Sequence, residues 1–330
     1  MKQLNPKIVV IGGGTGSFSV LSGLKYHTNS ITALVNMIDD GGSTGQLRDE
    51  YGVLPPGDIR QCLVALSDAP QAVRDLFNFR FPGTSGLAGH SFGNLFLSAV
   101  EMMSDNFSQA VKVAADVLNI KGRVYPVTLD KCQLVMEVAG DKTIGQSAIV
   151  AKKIAEHSKP KLYLEPDAEV GPEALEAIKT ADLVVIAPGN LYASIIPTLL
   201  VKGISQGLKL TKAPILFICN LVNKDNHTAN FAVDDYVNEI ERFIGKDTID
   251  SVLYNVDIPS KELLTKYALD GEYPVIFDSK KLSKQHFKAI AGNFLSRKDQ
   301  SRDDKDIFIT RSLIRHNSET VAEAIIKSLN

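Results

Sequence analysis

Several short glycine-rich and carboxylate-rich clusters in this sequence have the composition of ligand loops. Gly12-Gly13-Gly14-Thr15-Gly16 follows the apolar run KIVVI at residues 7–11 and precedes a segment with helical spacing of Phe18, Leu21 and Leu24. A glycine loop between a strand and a helix aims free backbone N–H groups at one point. The helix dipole adds positive potential there, which suits phosphate. The spacing Gly12-x-Gly14-x-x-Ser17 puts serine where the dinucleotide fingerprint has its third glycine, and no Gly-Lys-Ser/Thr follows as in a Walker loop. The competing reading is a tight turn that binds nothing.

Asp39-Asp40-Gly41-Gly42-Ser43-Thr44-Gly45 ends the next apolar run. An acidic residue here could hold a ribose hydroxyl pair. Two adjacent aspartates ahead of Gly42, Ser43 and Thr44 could instead hold Mg2+ while backbone N–H groups cradle an anion. A solvated Asp-Gly-Gly turn is the plain alternative. Pro55-Pro56-Gly57-Asp58 reads equally as a rigid helix entry capped by Asp58 or as a ligand segment. Gly89-His90-Ser91-Phe92-Gly93-Asn94 opens an apolar helix, and His90 could serve as an acid or a ligand contact. Gly189, Asn190 and Ser194 follow the strongest strand, and Asn220 follows the next one. Carboxyl ends of parallel strands are where open α/β sheets bind ligands. His27, His157, His227, His286 and His316 form no metal-binding spacing, and no histidine, lysine or cysteine adjacent in sequence to the aspartates offers a base or nucleophile.

The elements that must position these loops read as an α/β pattern. Strands are expected at 7–11, 31–38, 182–187 and 214–219, with weaker ones at 252–255 and 274–277. Helices are expected at 17–24, 58–66, 94–103, 108–118, 172–179, 195–207 and 320–329, with a short helix near 46–51 inside a loop over 39–56. Alternating runs such as QLVMEV before Gly140-Asp141 suggest a β-rich insertion with a hairpin at about 124–164. Residues 296–306 read as a polar loop. The whole, 1–330, is read as one Rossmann-like, doubly wound, mainly parallel domain carrying that insertion.

With 330 residues, 44% hydrophobic and a net charge of -2, the chain can bury a large core and carries no global attraction to nucleic acid or an anionic membrane. The isolated Cys62, Cys132 and Cys219 fit buried thiols in a reducing cytoplasm. The apolar run near the N-terminus stops at Gly12, and no stretch approaches the ~20 residues of a membrane helix, so a cytoplasmic protein is expected.

Taken together, GGGTG, DDGGSTG, PPGD, GHSFGN and ADLVVIAPGN resemble the YvcK/CofD-like family, closest to its bacterial gluconeogenesis-factor branch. The resemblance runs in order over most of the chain. It implies a pocket at the carboxyl edge of the sheet that binds a UDP-sugar such as UDP-N-acetylglucosamine, with a link to cell shape and wall synthesis on gluconeogenic carbon sources. That branch brings no settled catalysis, so no catalytic residue and no required cofactor are expected. Its contacts would fall on Gly13, Gly14, Thr15, Gly16, Asp40, Gly42, Ser43, Thr44, His90, Asn94, Gly189, Asn190, Ser194 and Asn220. The transferase branch instead moves a phospholactyl group from a guanine nucleotide, and its segments resemble Asn36 to Asp40 and Pro55 to Asp58. Under that reading Asp39, Asp40 and Asp58 would hold Mg2+. Leu221-Val222-Asn223 after Asn220 departs from the regulator branch's usual Thr-Gln-x-Gly-Glu-Thr. A nicotinamide oxidoreductase rests on the glycine loop alone. The sequence leaves self-association and a regulated protein partner open.

Overall fold

The computed structural model describes residues 5–104, 106–156, 158–297 and 313–329. His157 and positions 298–306 of the expected polar loop lie outside the described residues. In chain order the strands are β1 (Ile8–Gly12), β2 (Ile31–Val35), β3 (Arg123–Pro126), β4 (Gln133–Val138), β5 (Asp141–Ile144), β6 (Lys161–Glu165), β7 (Leu183–Ile186), β8 (Ile215–Ile218), β9 (Val222–Lys224), β10 (Ser251–Asn255), β11 (Glu272–Pro274) and β12 (Lys288–Gly292).

Seven of these form one sheet in the order β12-β10-β8-β7-β1-β2-β3, and every pairing in it is parallel. The doubly wound reading is borne out. Its central strands β1, β7 and β8 are buried at every position, as expected of β-branched runs covered by helices on both faces. Helix α1 (Gly14–Leu24) leaves β1 through the glycine loop and packs between α3 (Gly57–Leu66) and the closing helix Ser318–Ser328. Among the described residues no helix is long and apolar enough to cross a membrane.

Four local expectations change. Val124 does not open the antiparallel insertion, because β3 pairs with β2 as the edge of the main sheet. The antiparallel sheet is β5-β4-β6, with its hairpin at Ala139 and Gly140. The helix expected at 195–207 is broken into a π-type turn over Leu191–Ile195, a short helix Ile196–Leu200 and a second helix Ile204–Leu210, with Gly203 at φ +98° between the last two. The helix in the aspartate loop, α2 (Gly42–Tyr51), begins directly after the carboxylates. Finally β12, of sequence KAIAG, was not expected at all. It is a half-exposed edge strand, and its mixed residues carry little periodic signal.

Candidate functional site

The chain leaves β1 for β2 and β3 on one side and for β7, β8, β10 and β12 on the other, so the strand order switches between β1 and β7. The crevice above that switch is the natural ligand position in an open α/β sheet. Here the loops after β1 and β7 touch: a Cβ at Gly16 would stand 1.8 Å from the carbonyl oxygen of Pro188. Gly14 adopts φ +61°, a conformation that disfavours side chains, and its position is open apart from Asp58 Oδ1 at 3.5 Å. α1 starts with no side-chain cap, leaving its amino end to other partners. A cavity of about 390 Å3 opens beside this loop, lined by Thr15, Gly16, Gly189, Asn190 and Asn220, and on its far wall by Lys224, His227, Arg315 and His316. A second cavity of about 250 Å3 under Tyr254 and Phe277 shares Asn220, Leu221 and Ile314 with it.

On the other side of the glycine loop, Asp58 in the first turn of α3 accepts the Gly14 N–H. Burial, then the negative charge of Asp39, pushes the Asp58 carboxyl up to about 7, against the Gly14 hydrogen bond and the Arg60 charge. Asp39 is also raised, first by burial, although it accepts from Gly41 N at 3.0 Å and from the Thr44 hydroxyl. Two half-buried carboxylates whose ionisation is disfavoured beside a phosphate-type loop suit a divalent cation. Mg2+ commonly takes one or two protein carboxylates and completes its shell with water and ligand phosphate. Unsatisfied polar atoms lie along the same sheet edge. Ser17 Oγ, both polar atoms of the fully buried Asn36 side chain, and Asn220 Oδ1 have no hydrogen-bond partner among the described residues. Each such orphan costs about 1–3 kcal/mol unless a ligand or water meets it.

Asp40 points elsewhere. Its carboxylate accepts Gln146 N and Ser147 N, both at 2.7 Å, and so caps the short helix Gln146–Ala151 of the insertion. That helix is clamped further by Gln146 Nε2 donating to Ala193 O at 2.9 Å, by Asn226 Nδ2 donating to Val150 O at 2.7 Å, and by His227 Nε2 donating to Ile149 O at 2.9 Å. The expected trio of metal ligands therefore divides: Asp39 and Asp58 face one site, and Asp40 anchors the insertion.

The structure unites two motifs that lie far apart in sequence. Ser43, near the start of α2, meets the loop before helix Phe92–Met103: His90 Nδ1 lies 2.8 Å from Ser43 Oγ, and Asn94 Nδ2 donates to the same oxygen at 3.2 Å. Thr44 turns to Asp39, while Gly42 is the exposed first residue of α2. After β7, Asn190 Oδ1 caps its own turn by accepting Ala193 N, Ser194 packs against Gly189, and Gly189 O accepts Asn220 Nδ2 at 2.7 Å. The candidates thus gather in two neighbouring groups, one around the cavity and one around the carboxylates.

Sequence reading did not select Lys224, His227, Arg315 or His316 as site residues. They arrive from a strand of three residues and from the C-terminal segment, where His316 Nε2 donates to Cys219 O at 3.2 Å. Burial lowers His316 to about 4, so it sits there as a neutral ring.

A family model described as 2-phospho-L-lactate transferase CofD matches residues 8–295. A gluconeogenesis factor of Listeria monocytogenes is 36% identical over 99% of this chain and 97% of its own length. One of Halalkalibacterium halodurans is 37% identical over 99% and 97%. A crystal structure of a UPF0052 family member from Bacillus halodurans matches with a TM-score of 0.87 at 35% identity, covering 98% of this chain and 99% of that one. A glycine loop, a carboxylate pair and a switch-point cavity thus coincide with a match along nearly the whole chain, and the chain belongs to the CofD family.

Proposed function

We propose that this protein binds a nucleotide diphosphate sugar of the UDP-N-acetylglucosamine kind and acts as a cytoplasmic regulator of the gluconeogenesis-factor type, affecting cell shape and wall synthesis on gluconeogenic carbon. The observation that carries the binding is the glycine loop at the amino end of α1, whose Thr15 and Gly16 border the 390 Å3 cavity at the strand-order switch while Asp58 holds only the Gly14 N–H. The diphosphate would lie on Gly13, Gly14, Thr15 and Gly16, and the rest of the ligand would extend toward Asn220, Lys224 and Arg315. The names of the relatives support the regulatory part.

Titration calorimetry with UDP-N-acetylglucosamine tests this. Wild type should bind, and Gly14→Val should lose at least ~10-fold in affinity, about 1.4 kcal/mol, because valine strains φ +61° and fills the ligand's space. NAD should bind far more weakly, since Ser17 replaces the third fingerprint glycine and Asp39 is turned to Gly41 N rather than free for a ribose. Equal affinities for wild type and Gly14→Val would reject the phosphate loop.

One observation favours a second reading. The Asp39 and Asp58 pair suits Mg2+ at a phosphoryl group, as a transferase acting on a nucleotide diphosphate ester would need. Chromatographic detection of Mg2+-dependent product from candidate esters decides between binding alone and transfer.

A further inference from the structure

Ser43, His90, Asn94 and Arg60 form a continuous hydrogen-bond chain. Arg60 can only donate, and its Nε lies 2.9 Å from Asn94 Oδ1. The Asn94 amide is therefore oriented with Nδ2 toward Ser43, where it donates to Oγ at 3.2 Å. Ser43 Oγ lies 2.8 Å from His90 Nδ1, and with His90 in the Nε2–H tautomer the hydroxyl is the donor of that bond. A hydroxyl donating to a neutral imidazole is the arrangement of an activated serine and its base.

The surroundings suit the same chemistry. Ser43 lies in the first turn of α2, where Gly45 N is the first amide bonded within the helix, to Gly41 O. The amides of the first turn before it lack intrahelical partners and are free to donate to an anionic group. The next residue, Thr44, is hydrogen-bonded to Asp39 of the carboxylate pair. His90 and Asn94 are buried, while Ser43 keeps partial access to solvent.

We infer that Ser43 is a nucleophile activated by His90, and that its electrophile is the phosphoryl group of the ligand held at the glycine loop. The inference rests on the phosphate-binding reading for its substrate, but not for the activation of Ser43. In the step, Ser43 Oγ bonds to phosphorus, the bond from phosphorus to the leaving oxygen breaks, and that oxygen departs with the electron pair. The serine proton passes to His90 Nδ1. The bridging oxygen leaves on the other phosphate, a seryl phosphodiester that keeps the ester of the attacked phosphorus results, and attack on it by an acceptor hydroxyl or water transfers the substituted phosphoryl group and regenerates Ser43, with His90 returning its proton to Oγ.

A fluorophosphonate tests the activation directly, because Oγ–P bond formation releases fluoride and needs no nucleotide. Intact-mass and peptide mass spectrometry on the full chain should show one adduct, on Ser43. Ser43→Ala should show none. His90→Gln should react ~10²-fold more slowly, the scale of a lost general base, and Asn94→Ala, which keeps the pair but removes the directing donor, should also slow. Circular dichroism establishes that each variant is folded. UDP-N-acetylglucosamine should slow labelling of wild type. Absence of an adduct while calorimetry still shows nucleotide binding overturns the nucleophile and spares the binding site. Labelling at Ser43 that bound nucleotide does not slow overturns the assigned electrophile. Equal rates in wild type and in both His90→Gln and Asn94→Ala overturn the role of the chain.

Discussion

Asp58 shows how one side chain reports on the site. Burial and the Asp39 charge hold its carboxyl near 7, above its unfolded value. A raised folded-state pKa means that the folded protein holds the proton more tightly. The associated stability is complete below about pH 4 and is lost as pH rises through about 7. At pH 8 the metal-free protein therefore keeps the Asp58 carboxylate ionised beside Asp39 at a cost. Asp58→Asn should raise the melting temperature of metal-free protein at pH 8, and the gain over wild type should shrink toward pH 5. Mg2+ should stabilise wild type at pH 8 by binding the folded state, and it should not stabilise Asp58→Asn. Thermal melts with chelator and with Mg2+ measure both effects, and a wild type indifferent to Mg2+ would remove the cation from the site.

Asp40 differs from its neighbour in the element it serves. Its carboxylate receives two amides of helix Gln146–Ala151, more than a hundred residues along the chain. Such a cap is worth about 0.5–2 kcal/mol. Asp40→Ala should lower global stability by that order, and amide exchange should accelerate across 141–156. The rise in melting temperature with Mg2+ should survive, in contrast to Asp58→Asn. Loss of that response would return Asp40 to the cation site. The same helix holds Ala193 O through Gln146, and its carbonyls receive Asn226 and His227. The insertion is thereby fastened to loops on both sides of the switch, and Val150 forms part of the cavity wall.

At the scale of the molecule, the C-terminal segment closes the site. Asn317 N bonds to Phe294 O at 2.7 Å, His316 bonds to Cys219 O, and the helix Ser318–Ser328 packs on α1, the helix that begins at the phosphate loop. His316 is neutral because burial depresses it to about 4. A depressed histidine contributes stability that is present above its unfolded value of about 6.5 and is lost as pH falls toward 4. His316→Gln, which can still donate to Cys219 O, should therefore lose less stability than wild type between pH 6.5 and 4. Parallel denaturant titrations at the two pH values measure the difference. Equal losses would mean that the ring is not buried in solution.

Local rules govern what was legible in the sequence. A run of β-branched residues, a glycine loop and helical spacing are set by neighbours in the chain, so β1, the loop and α1 could be read directly, as could the buried strands β7 and β8. The doubly wound class follows from repeating that unit. The half-exposed β12 and the short β3 lacked a periodic signal, and pairing with β10 and β2 defines them. At the site, sequence put Asp39 and Asp40 side by side, but adjacent residues project in different directions, so their partners were decided by what folds against them. Asp39 turns toward α2 and the Asp58 side, and Asp40 toward the insertion. Ser43 and His90 are 47 residues apart, and only the packing of α2 against the helix after His90 brings hydroxyl and imidazole within 2.8 Å. Residue type and local spacing determined where phosphate could bind. The direction of each polar side chain, and hence its chemistry, depended on long-range contacts that no local pattern encodes.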